Sequence, residues 1–127
     1  MSDYIKIEKD PLNEHSIPTA WRQTLSSIVE AISDGDFLLL RGIEGVAPVD
    51  EETATAIASS ISEYGVHLKP LPAETWLTSV CQWMGTYWSV LVDLYSYEEG
   101  QIDLVLNVRV MEDKERHSFE VQLVYVP

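Results

Sequence analysis

The feature that most limits the fold of this chain is a change of hydrophobic period at Trp76. Before it, apolar residues recur at helical spacing; after it, they alternate. Three interruptions cut the alternating half into four strands, and each loop length fixes a register. Gly85-Thr86 fits a two-residue type II′ turn, whose first position favours glycine. It sets Trp83 opposite Trp88, Cys81 opposite Val90, Ser79 opposite Val92 and Leu77 opposite Leu94. Glu98-Glu99-Gly100 fits a three-residue loop with Gly100 left-handed in a bulge, which sets Leu94 opposite Leu104 and Val92 opposite Leu106. A four-residue loop from Asp113 to Arg116 sets Val110 opposite Phe119, Val108 opposite Val121 and Leu106 opposite Leu123. All three registers bring one apolar set to one face. A one-residue slip would turn that set over, so the agreement predicts a four-stranded antiparallel meander.

The first half supplies helices. Trp21, Leu25, Ile28, Val29 and Ile32 form one helical stripe that begins at Pro18 or Thr19 and ends at Asp34-Gly35-Asp36. Asp50 is an N-cap with Glu51 and Glu52 in the first turn, and Ala54, Ile57, Ala58, Ile61 and Tyr64 make a second stripe closed by Gly65. Phe37 to Leu40 reads equally as a strand or a helix. Pro70 and Pro72 hold residues 66–75 extended. The expected fold is α+β, with two N-terminal helices on one face of a four-stranded meander in the order ααββββ. A chain of 127 residues makes one domain, here residues 18–127, preceded by a polar lead-in over residues 1–17.

The register also defines a second sheet face. It carries Val80, Leu91, Val105 and Val124 as an apolar strip, with Trp76 and Tyr95 paired at one end. An ordinary solvated face is more polar. Either the lead-in or the 66–75 connector covers it, or it is a partner or dimer interface.

Few side chains suggest chemistry. Asp93 and Asp103 share the second face near Glu98 and Glu99, and two carboxylates can hold a cation or act as an acid–base pair. There is no EF-hand spacing, and Asp93 has ordinary partners within reach in Arg109 and Thr78. His15, His67 and His117 share no metal motif, and the lone Cys81 faces the expected core, where a thiol is inert. GxSxG, GxxxxGK[ST] and GxGxxG are all absent. The reading is therefore of a non-enzyme with no catalytic residue, no metal and no cofactor.

Charge carries more information. The chain has 21 acidic and 8 basic residues, a net charge of −13, yet 46% of it is hydrophobic. That excludes a disordered acidic tail, and the scarcity of Lys and Arg excludes direct nucleic-acid binding. The absence of a long apolar run or an N-terminal apolar core points to a cytoplasmic protein without a membrane partner. Between Arg41 and Arg109 Lys69 is the only basic residue, against ten acids that fall mainly at the second helix start and around the Asp93–Asp103 hairpin. Such a field attracts cationic partners.

Trp21-Arg22, Gly35-Asp36, Tyr64-Gly65, Leu71-Pro72, Thr75-Trp76, Asp93-Leu94, Glu98-Glu99-Gly100 with Asp103-Leu104, and the closing Val124-Tyr125-Val126-Pro127 resemble a family of small bacterial proteins of unknown function. The resemblance spans residues 18–127 and implies a bacterial or phage origin. It brings no activity and no site residues. The leading expectation is an immunity or antitoxin-type inhibitor of a basic partner, bound through Trp76, Asp93, Tyr95, Glu98, Glu99 and Asp103. The alternatives are a nucleic-acid mimic of the anti-restriction or anti-CRISPR kind and a non-catalytic accessory module that dimerises through the second sheet face.

Overall fold

The computed structural model describes residues 4–127. Residues 1–3 of the expected lead-in lie outside the described residues. The order of elements is β1 (His15–Ser16), α1 (Thr19–Ser33), α2 (Glu51–Tyr64), a 3₁₀ helix (Ala73–Leu77), β2 (Val80–Trp83), β3 (Trp88–Ser96), β4 (Gly100–Asp113) and β5 (Arg116–Tyr125). The architecture is α+β, with two helices and an antiparallel sheet in the spatial order β1-β2-β3-β4-β5. The sheet has five strands where four were expected.

Both helices form for the reasons their sequences give. All five residues of the α1 stripe are buried, and Asp50 accepts a hydrogen bond from the Thr53 amide at 2.7 Å, which caps α2. Gly65 closes α2 in the left-handed region at φ 83°. The helices cover the sheet face that carries Trp88, Val90, Val92, Leu106, Val108 and Val110, and these residues form one core with α1. Trp21 meets Trp88 edge-on with ring centroids 5.2 Å apart. Residues 37–41 are neither strand nor helix. Asp36 accepts from the Leu40 and Arg41 amides and folds this segment into turns, with Leu39 buried and Leu40 facing solvent.

The first hairpin keeps the expected pairs, Trp83 with Trp88 and Cys81 with Val90, and Gly85 has φ 94°. Its first strand is shorter than expected. Thr75 Oγ1 donates to the Asp93 carbonyl at 2.7 Å, and Ser79 Oγ accepts from the Asp93 amide at 2.9 Å. These hydroxyls stand in for the ladder, so residues 73–77 coil into the 3₁₀ helix and Leu77 does not face Leu94. In the second hairpin Val92 faces Leu106 as expected, but the ladder shifts beyond Asp93, so that Tyr95 faces Gln101 and Leu94 has no direct partner. The last turn is tighter than four residues: Asp113 pairs with Arg116 around Lys114, at φ 59°. Val110 faces Phe119 and Val108 faces Val121, but a bulge after Asn107 then sets Leu106 opposite Val124. Val124 is therefore fully buried in the core, and Leu123, expected there, turns outward.

The fifth strand comes from the lead-in. His15 pairs with Cys81 and Ser16 with Val80 along the edge of β2. The arm before it is tied down by Trp88 Nε1 donating to the Glu8 carbonyl at 2.8 Å and by Gln82 Nε2 donating to the Pro11 carbonyl at 2.8 Å. His15 sits between Glu8 and Asp10, at 3.1 and 2.9 Å. Ile17 is fully buried.

Candidate functional site

The hairpin joining β3 to β4 gathers five of the six expected interface residues at one end of the sheet. Asp93 and Tyr95 lie on β3, Glu98 and Glu99 in the turn, and Asp103 on β4. The connector stiffens this end by pairing beside β3. The Lys69 amide donates to the Tyr95 carbonyl, and the Tyr97 amide donates to the His67 carbonyl, both at 3.0 Å. Glu98 accepts from the His67 amide at 2.9 Å and lies 2.5 Å from its Nδ1. These contacts hold the Glu98 carboxyl below the usual carboxylate range. The far end of α2 closes the cluster, because the Asp103 amide donates to the Tyr64 hydroxyl at 3.2 Å.

Tyr95 is only 7% exposed. Burial, and then the charges of Glu74 and Asp93, push its hydroxyl above the ordinary tyrosine value. Glu74 thus belongs to the same acidic group. An extended connector over residues 66–75 would not bring it here; the 3₁₀ helix does, because Thr75, the next residue, is bonded to the Asp93 carbonyl. Glu99 and Asp103 are exposed and Asp93 is half-buried. Asp93 forms no ion pair with Arg109; the Arg109 guanidinium lies over the Tyr87 ring at 4.5 Å instead. This end therefore joins a buried tyrosine, with Glu74 and Asp93 near it, to the exposed carboxylates of Glu98, Glu99 and Asp103.

Trp76 does not join it. The 3₁₀ helix sends Trp76 toward α1, where the Arg22 guanidinium carbon stands 5.5 Å over its ring. The expected pairing of Trp76 with Tyr95 fails because it assumed that β2 extends back to residue 76. The start of α2 does not join the cluster either. Asp50 to Glu52 lie at the end of α2 opposite Tyr64, on the side where the preceding loop meets the start of β5 through the Ala47 amide and the Phe119 carbonyl.

The outer sheet face is partly as expected. Val80 and Leu91 pair across β2 and β3, and Val105 lies beyond them. Val124 has gone to the core, and the bulge puts Leu123 and Tyr125 in its place, opposite Asn107 and Val105. The arm pairs along the edge of β2 through His15 and Ser16, the connector bonds the end of β3 through His67 and Lys69, and Val105 is buried. Leu123 is 39% exposed.

Burial pushes the Cys81 thiol up to about 11, which keeps it protonated and unreactive. Among the described residues, no group of three or more His, Cys, Asp or Glu side chains is placed to hold a metal ion, and no helix is long and apolar enough to cross a membrane. A domain family of unknown function, DUF7668, matches residues 29–127. Trp21-Arg22 and the arm lie before the matched region. No curated protein and no solved structure matches the chain.

Proposed function

The chain belongs to the DUF7668 family of unknown function, and on that premise we propose that it is a non-catalytic, cytoplasmic protein-binding domain of the immunity or antitoxin type, which blocks a partner with a basic surface. The observation that supports this reading is the acidic end of the β3–β4 hairpin. Glu74 and Asp93 lie near Tyr95 there, Glu98, Glu99 and Asp103 belong to the same hairpin end, and two backbone hydrogen bonds tie the connector to it. A fixed rim of carboxylates steers a cationic surface and docks it without a large ordering cost. A pull-down at low salt from the source cell is expected to recover a basic protein. Charge reversal by Asp93→Lys with Glu98→Lys is expected to slow association with it at least about tenfold, with the difference shrinking as salt is raised. Recovery of no basic partner, or a loss of binding that ignores salt, sinks the reading.

A second reading, self-association, rests on the outer face, where Leu91, Leu123 and Tyr125 are partly or fully exposed beside the buried Val105. It predicts a dimer in sedimentation at micromolar concentration that Leu123→Asp disperses. The nucleic-acid-mimic reading is weaker, because the carboxylates cluster at strand ends and a helix start without the even spacing of a phosphate backbone.

A further inference from the structure

We propose that the cleft between the N-terminal arm, α1 and the 3₁₀ helix is a binding site for a single carboxylate carried on an apolar group. The cleft encloses about 580 Å³ and is lined by Ile5, Ser16, Arg22, Ala73, Trp76 and Leu77, among others. That volume is of the size that small ligands occupy. Its charged element is Arg22. The Arg22 Nε donates to the Ile17 carbonyl at 3.1 Å, and the guanidinium lies over the Trp76 ring at 5.5 Å. One bond and one ring therefore fix the plane of the guanidinium and leave both terminal nitrogens available. Among the described residues no carboxylate reaches Arg22, whereas Arg41 is held by both Asp34 and Asp36. Half-buried and without a carboxylate among the described residues, Arg22 has its planar fork open to a ligand.

The walls define the rest of the ligand. Ile5, Ala73, Trp76 and Leu77 are apolar, and Leu77 is 85% exposed at the rim, so a hydrocarbon group beside the carboxylate would cover surface that water now covers. The net charge of −13 opposes polyanions, which favours one carboxylate over a phosphate-rich ligand. Two sources share this chemistry: the C-terminal residue of a peptide and a free branched-chain acid. The cleft joins Ile5, Ser16 and Arg22, which precede the family match, to Ala73, Trp76 and Leu77, which lie within it. It shares the 3₁₀ helix with the acidic end, which that helix meets through Glu74, but does not depend on the reading given above.

The test is a titration of the full chain with N-acetyl-leucine, 4-methylpentanoate and N-acetyl-leucinamide, followed by the arginine Nε–H and indole N–H resonances. The acids are expected to saturate at millimolar concentration and to move the Arg22 and Trp76 signals, with the amide at least about tenfold weaker for want of the charge-assisted bond. Tighter binding of N-acetyl-leucine identifies a peptide C-terminus, and tighter binding of 4-methylpentanoate a free acid. Arg22→Gln should erase the difference between acid and amide. Leu77→Asp, at an exposed position that the fold does not use, should abolish binding of the acids while leaving the melting temperature unchanged. Equal binding of acid and amide, unchanged binding to Leu77→Asp, or no saturable shift with either acid overturns the proposal.

Discussion

Gly100 opens β4 at φ 73°, and nothing lies within 4 Å of where a side chain would project. Substitution there tests backbone strain alone, free of any clash. Gly100→Val is expected to lower stability by about 1–2 kcal/mol, since a β-branched residue resists the left-handed region; an unchanged denaturant midpoint would mean that the turn relaxes into another type. Asp10 is the matching case for charge. His15 first, then the Leu12 amide and the Asn13 side chain, pull its carboxyl from 3.8 to about 2. A depressed carboxyl stabilises the fold above its ordinary value, and that contribution is lost as pH falls through the folded value. The melting-temperature gap between the native chain and Asp10→Asn should therefore close as pH falls from about 4 to about 2. No gap at any pH would show that the arm is held by its backbone contacts to Trp88 and Gln82 and not by this carboxylate.

At the scale of elements, the bulge in β5 makes the sharpest prediction. Val124 is fully buried among Val29, Ile32, Leu68, Leu94 and Leu106, and Leu123 faces outward. Val124→Ala should cost about 2 kcal/mol, whereas Leu123→Ser should stay within about 0.5 kcal/mol. The opposite ranking, measured by chemical denaturation, would restore the unbulged register that hairpin geometry alone implies. This contrast shows what the sequence discloses and why. Loop length and alternation carry register away from each turn correctly until something inserts a residue, so Trp83–Trp88, Val92–Leu106 and Val110–Phe119 were all legible. Bulges leave no mark in a run such as Val121-Gln122-Leu123-Val124, where either parity buries valine. The 3₁₀ helix was hidden for another reason: Thr75 and Ser79 look like ordinary strand residues until their hydroxyls are seen to replace ladder bonds. β1 was hidden because two residues have no period. What held the acidic end legible was the Glu98-Glu99-Gly100 turn itself, which gathers its carboxylates by local geometry. Trp76 was lost from that site because its place depended on the length of β2.

For the whole molecule, the position of the charge matters more than its sum. The acids fall into separate groups, one around the β3–β4 turn and one at the start of α2, at opposite ends of that helix. The β4–β5 turn is different: over residues 109–116 Arg109, Lys114 and Arg116 balance Glu112, Asp113 and Glu115. Of the close ion pairs, Lys9 with Glu112 and Arg41 with Asp34 and Asp36 lie outside the acidic hairpin end, where, among the described residues, only His67 approaches a carboxylate. Repulsion within that end is therefore balanced by little except solvent and salt. At ionic strength of about 0.01 M the screening length is about 30 Å, long enough for both acidic groups to act on each other across a domain of this size; at about 0.15 M it is about 8 Å, and each group acts alone. Raising sodium chloride over that range should increase the melting temperature by a few degrees, and Glu99→Lys with Asp103→Lys, at exposed positions of the acidic end, should remove much of the increase while raising stability at low salt. If salt instead lowers the melting temperature of the native chain, its surface pairs outweigh its repulsion, and the field at the hairpin end is too well compensated to steer a partner.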